Sequence, residues 1–436
     1  MTFKDGLTRA RSHIMFILAL IVAFIIVEQL NMLDQTLHSS TKIPKTTIDY
    51  PLRPITPLNT EQLKQAQIAW QYFEQNYQAQ TGLVNSVDQY TATTMWDTAS
   101  YLMALISAYQ LEIISPFTFD QRVSLLLTSL ARMPLFDNQL PNKSYNTISL
   151  EMTDYNNVPL ARGIGWSAID IARLLVPFNI LVWQYPQHTP AIQKVIRRLD
   201  FSALVHNGQM MGAIVDSTGK TVYVQEGRLG YEQYAAKSLA LLGLDVSVAL
   251  HYTDFLKLLP MYNINIPTDY RTPDRYDAHN YVVSESYILD GLEFGWDDTS
   301  RELAYRVYQV QEARYKDTQL LTAVSEDHID QAPYFVYNTI YSSGHFWNTI
   351  TDKGEDASQF KSLSLKAVFG WHVLYQTDYT QLMIEKVNQL YDEKKGWYAG
   401  LYEKNQQANK AITANTNAIV LESLNYQRAG KLLKFQ

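Results

Sequence analysis

The sequence predicts an all-α fold: an (α/α)6 toroid of six inner and six outer helices, carried behind an N-terminal membrane anchor. Three observations predict it. Helical segments of two kinds alternate along the chain, the long links precede helices of one kind, and a basic-flanked apolar run opens the sequence.

The opening run is Ile14 to Val27, unbroken and apolar, with Lys4, Arg9 and Arg11 before it and Leu30, Met32 and Leu33 extending it. A spanning helix needs about 20 apolar residues, so residues 14–33 are read as a signal-anchor. The small-residue site nearest the run, Val22-Ala23, is followed by further apolar residues, which disfavours cleavage. The positive flank leaves residues 1–13 in the cytoplasm and puts the remainder in the periplasm, held on the inner membrane by a single pass. A cleaved signal peptide is the alternative and gives the same compartment. Residues 34–58, polar and carrying Pro44, Pro51, Pro54 and Pro57, read as an extended spacer. Residues 59–436 are the toroid domain.

Within that domain, segments near 61–78, 117–132, 189–204, 247–258, 298–316 and 378–391 have one apolar stripe and one charged face. Segments near 94–111, 166–183, 230–243, 282–295, 358–376 and 412–427 are apolar nearly all round. A helix apolar on every side is buried, and a striped one lies outside. The links into the second set are long and rich in aromatic, acidic and glycine residues: 137–165, 207–229, 263–281 and 318–357. An open solenoid would space its helices evenly. The asymmetry gathers the long loops on one rim, where a cleft forms.

Composition narrows the partner. The 436 residues hold no cysteine, 36 Lys+Arg against 43 Asp+Glu, and 30 tyrosines with 8 tryptophans. Disulfides and thiolate metal sites are excluded. Nucleic acid is excluded as a partner for want of a basic footprint. Rings with polar edges suit sugars. No P-loop, dinucleotide fingerprint, His-Glu-x-x-His or nucleophile elbow occurs, and no cofactor or metal is implied.

The rim segments supply the candidate chemistry. Glycoside hydrolysis needs two carboxyl groups, one to protonate the leaving oxygen and one to activate water or attack the sugar. The candidates for these roles are Glu226, Asp97, Glu326, Asp327 and Glu285. Trp96, Trp166, Arg162, Arg228, Tyr231, Glu232, Tyr234, Asp170, His279 and Trp347 are the candidate substrate contacts. A plainer reading stands beside several of them. Thr94-x-x-Asp97 and Ser167-x-x-Asp170 fit a capping box in its looser Asp form, and an acid in a first helical turn is favoured by the helix dipole. Glu326, Asp327 and Asp330 form an acidic loop cluster that could supply a catalytic base or a calcium site, although a solvated surface loop is the commoner origin of such a run. Glu226, loop-borne before two glycines, is the preferred general acid, with Asp97 or the Glu326/Asp327 cluster as base.

Thr94-Met95-Trp96-Asp97, Gly165-Trp166-Ser167-Ala168-x-Asp170, Glu226-Gly227-Arg228-x-Gly230-Tyr231-Glu232-x-Tyr234, and Glu285 with Leu289-Asp290-Gly291 resemble a bacterial family catalogued as domain of unknown function 3131, over roughly residues 60–428. That family is similar in layout to glucoamylase-like and β-glucan-hydrolase toroids. The resemblance implies the (α/α)6 fold and a carbohydrate substrate, and carries no settled catalytic set.

The function expected is therefore that of a glycoside hydrolase acting on an exopolysaccharide or periplasmic glucan, in association with polysaccharide synthesis or export machinery. Two alternatives are a polysaccharide lyase using His279, Asn280, Tyr281 and Arg162, and a non-catalytic glycan-binding subunit of an export machine.

Overall fold

The computed structural model describes residues 49–272 and 279–435, with isolated positions 22 and 43. Apart from position 22, the expected anchor at 14–33 lies outside the described residues. Among the described residues no helix is long and apolar enough to cross a membrane. The end of the expected spacer is docked on the domain. The backbone N–H of Arg53 donates to Leu374, that of Gln376 to Pro51 and that of Thr56 to Gln427, while the Tyr50 hydroxyl donates to Glu302 at 2.7 Å.

Six helices form a closed inner ring: α2 (Met95–Gln110), α4 (Ala168–Gln184), α6 (Tyr231–Leu241), α9 (Glu285–Leu289, continued by a π-turn through Phe294), α11 (Leu365–Leu374) and α13 (Ala414–Ala429). Each packs on the next, and α13 packs on α2. The outer layer is α1 (Thr60–Gln75), α3 (Pro116–Leu130), α5 (Thr189–Ile196), the short turns α7 (Ser247–Leu250) and α8 (Tyr252–Phe255), α10 (Asp298–Thr318) and α12 (Asp378–Val387). Inner helices bury nearly their whole circumference, as their composition demands. All ten residues of α11 are buried, Lys366 included. Close approach there depends on Gly370, where an added Cβ would lie 2.3 Å from Ile288. The inner–outer alternation follows the predicted one closely, except that the expected helix 247–258 breaks into two single turns and the expected helix 189–204 stops at Ile196.

The all-α expectation is corrected. Among the described residues twenty short strands occupy the links, chiefly those that lead into inner helices. A long link over a rim must satisfy its own backbone donors and acceptors, and folding back on itself or pairing with a neighbouring link does so. Ala92–Thr93, Ser144–Asn146 and Met152–Thr153 form one antiparallel sheet, and Gln209–Val215 pairs with Thr221–Gln225. Glu326–His328, Phe335–Asn338 and Thr349–Ile350 form another. Period-2 patterning in such short stretches was masked by turns and bulky aromatics.

Candidate active site

The inner helices begin at the strand-bearing rim, and their starts carry the acids. Thr94 caps α2 by accepting the Asp97 N–H at 3.1 Å, and Ser167 caps α4 by accepting the Asp170 N–H at 3.1 Å. The hydroxyls therefore do the capping, which leaves the two aspartate carboxylates free for other contacts. Asp97 is buried and accepts the Thr94 hydroxyl at 2.9 Å. Burial pushes its carboxyl up, with the nearby Glu285 charge adding to the effect.

Glu226 ends the strand Thr221–Gln225 and reaches across to the start of α4. Its carboxylate accepts the Ser167 hydroxyl at 2.7 Å and the Ala168 N–H at 2.6 Å. Room for it comes from Gly212, where a Cβ would sit 2.4 Å from the Glu226 Oε2. Burial raises the Glu226 carboxyl above its ordinary value, offset by these donors and by Lys143. Asp170 stands beside it, half-buried. Burial and then the Glu226 charge push the Asp170 carboxyl up to about 7. Burial raises both carboxyls, and neighbouring acids with perturbed proton affinity are candidates for a working acid pair.

Further round the rim lie Glu285, Asp327 and Glu326. Lys366 on α11 is paired with Glu285 and lies 3.4 Å from Asp327; Asn415 donates to the other Glu285 oxygen at 2.8 Å. All three members of the lysine cluster are buried. Burial pushes Asp327 up to about 7, against the pull of Lys366. Glu326, the next residue on its strand, is half-buried and takes a hydrogen bond from Ser325 at 2.9 Å. The expected solvated acidic loop is thus a strand whose Asp327 points inward and whose Glu326 lies half-buried on the opposite face. Asp330 accepts from the Tyr402 hydroxyl at 2.6 Å and the Lys410 N–H at 2.9 Å, so the three acids do not converge. Among the described residues no group of three or more metal-ligating side chains is arranged to hold an ion.

The other expected contacts divide. Trp96 is half-buried, edge-on to Tyr231 at 5.6 Å and over the Arg173 guanidinium at 4.7 Å. Arg173 is itself fully buried among Glu293, Glu422 and Tyr234, at 2.7 Å from Glu293. Tyr234 is buried and donates to Glu293 at 2.6 Å. Glu232 is buried in an ion pair with Arg271. Arg228 is buried and donates to Gln225 at 2.7 Å. Trp166 is fully buried, its ring N–H on the Met211 carbonyl at 3.0 Å, so its faces are packed by protein and do not meet a sugar. Arg162 sits on an exposed loop, bidentate to Asp137 at 2.8 Å. His279 is half-buried against Ser343 at 2.9 Å. Asn280 is turned inward to Thr268 and the Asp269 carbonyl. Arg162 and Asn280 are committed to these partners, away from the acid pair. Trp347 is half-buried, with the Arg314 guanidinium over its ring at 5.0 Å.

Two participants escaped the sequence reading. Lys366 had a visible signal, a lone cation in an apolar helix. Tyr155 had none. It is 64% exposed, yet the protein flanking it, with Asp170, Glu226 and Asp352, pushes its hydroxyl above the tyrosine range. Tyr155 thus stands at the surface within reach of the Asp170 and Glu226 charges.

Residues 64–430 match the family described as protein of unknown function, DUF3131. The chain belongs to that family. No curated protein matches it in sequence. In structure the DUF3131 chain is similar to the endo-β-1,2-glucanase of Chitinophaga pinensis, solved with sophorotriose and glucose: TM-score 0.59, 10% identity, 86% of this chain and 94% of that one. It is also similar to the endo-β-1,2-glucanase of Talaromyces funiculosus, solved with sophorose: TM-score 0.59, 11% identity, 86% and 85%. The glucoamylase of Saccharomycopsis fibuligera gives a TM-score of 0.53 at 10% identity, over 89% and 99%. At such identities these likenesses establish the shared toroidal fold.

Proposed function

We propose that this DUF3131 protein is a glycoside hydrolase that cleaves a glucan. The observation that carries the reading is the Asp170–Glu226 pair: two partly accessible carboxyl groups near Tyr155, one raised to about 7 and the other held by two donors. Donors on both Glu226 oxygens favour its charged form, so the proton that reaches the glycosidic oxygen resides on Asp170. Glu226 holds that proton on its neighbour by charge and fixes the start of α4. Glu326 is the accessible carboxylate of the second station and activates water. The fold shared with glucan-cleaving enzymes supports a glucan as substrate. The apolar run at 14–33 supports a periplasmic location on the inner membrane, beside machinery that makes or exports polysaccharide.

The test is reducing-end release from β-1,2-glucan, β-1,3-glucan and amylose, with product anomers followed by NMR. Activity on one of them, lost in Asp170→Asn and in Glu326→Gln, supports the reading. Full activity in both variants overturns the assignment.

A further inference from the structure

On the sheet formed by Glu326–His328 and Phe335–Asn338, side chains alternate between two faces. Asp327, Val336 and Asn338 point inward and are buried. Glu326, His328, Phe335 and Tyr337 share the other face and are partly open. The register sets Glu326 opposite Tyr337 and His328 opposite Phe335. Phe335 meets His328 at 5.0 Å and Tyr337 at 5.3 Å, both edge-on. Tyr281, from the neighbouring sheet, lies flat on Tyr337 at 3.8 Å and 4°, and His279 follows at 5.9 Å. Five rings thus form a continuous row with Glu326 opposite its middle ring, Tyr337. Its successive centroid separations of 5.9, 3.8, 5.3 and 5.0 Å carry it beyond the width of one ring.

A chain of neighbours links this row to the acid pair: Tyr155, near Asp170 and Glu226, also lies near Tyr337, and Asp352 lies near Tyr155, Tyr281 and Tyr337. The ionisable groups that reach these rings are the carboxyls of Glu326, Asp170, Glu226 and Asp352, none of which carries positive charge. Burial holds His328 neutral, its imidazole lowered to about 4, and the nearby Lys366 is taken up by Glu285 and Asp327. Such a face repels uronates and has flat apolar surfaces for the carbon–hydrogen faces of neutral sugars.

Building on the hydrolase reading, we infer that the row from His279 through Tyr281, Tyr337 and Phe335 to His328 is an extended subsite for successive uncharged hexose units of a glycan chain. The enzyme then cuts within chains and gains affinity with chain length.

The test is calorimetric binding to the full chain carrying Glu226→Gln, which slows turnover during titration. The probes are β-1,2- and β-1,3-linked gluco-oligosaccharides from disaccharide to octasaccharide, with oligogalacturonates and chitosan oligosaccharides as charged probes. Affinity for gluco-oligosaccharides of one linkage is expected to rise with length. Phe335→Ala and Tyr281→Ala should each weaken octasaccharide binding about tenfold, while Tyr281→Phe keeps it. Unfolding midpoints identify any variant that fails to fold, and Tyr281→Ser then replaces it. Length-independent binding, unchanged affinity in folded Tyr281 and Phe335 variants, or tighter binding of either charged probe overturns the inference. Length-dependent binding without any hydrolysis by the unsubstituted chain upholds the row and sinks the hydrolase reading. Hydrolysis with no length dependence sinks the row alone.

Discussion

The Glu226 carboxylate accepts the backbone N–H of Ala168 at 2.6 Å, joining the end of one rim strand to the first turn of an inner helix. A carboxylate at a helix start satisfies an orphan donor and meets the positive end of the helix dipole. Its negative charge is then fixed beside Asp170, which is how an acid pair arises from a capping contact.

Replacing Glu226 therefore has two separable effects. Glu226→Ala should lower stability by about 1–2 kcal/mol, the size of a lost cap, measured by urea unfolding. Glu226→Gln keeps the shape but removes the charge. It should lower glucan turnover about 100-fold or more and bring the Asp170 carboxyl down, seen as an acid shift of the alkaline limb of the pH–rate profile.

Activity should fall as pH rises through about 7, as Asp170 loses its proton. Asp170→Asn should abolish the limb with the activity. Stability should follow the same sign. Asp170, Glu232 and Asp327 titrate at about 7 when folded, against about 4 when unfolded. The folded state thus binds more protons between those limits, and stability falls as pH rises across them. Thermal unfolding from pH 4 to pH 8 checks the sign, and the slope should be shallower in Asp327→Asn.

Lys366→Met should destabilise the domain by about 3–5 kcal/mol, because Glu285 and Asp327 then stay buried without a cation. The double variant Lys366→Met/Glu285→Gln should recover part of the loss. Denaturant unfolding of both variants decides it; equal losses would show that the lysine does not act through Glu285.

Arg162→Ala should leave glucan turnover unchanged, since its guanidinium is bound to Asp137 on an exposed loop. A large rise in KM would place this loop at the substrate after all.

Residues 14–33, proposed as a signal-anchor, should hold the full chain in the inner-membrane fraction through alkaline carbonate washing. N-terminal sequencing of that material separates an uncleaved anchor from a removed signal peptide.

Repetitive patterning by itself determined the ring. Apolar-all-round segments such as 365–374 have no solvent face to offer, so an inner layer followed from composition, and striped segments such as 298–318 had to cover it. Local capping was equally legible at Thr94 and Ser167, because a cap is a contact across three residues. Tertiary structure alone decided what those caps left free. Asp97 and Asp170 look alike in sequence, yet one is buried and the other half-buried beside Glu226, a neighbour contributed from 56 residues further along the chain. Trp166 and Trp96 both stand at inner-helix starts, yet Trp166 is fully buried and Trp96 is not. The strands were hidden for a related reason. Some pair across links, as when Ala92 meets Asn146, and most are only two or three residues long, too short for period 2 to register. The expected anchor rests on hydropathy alone, while the site rests on long-range proximity, which burial and charge express only once the ring has closed.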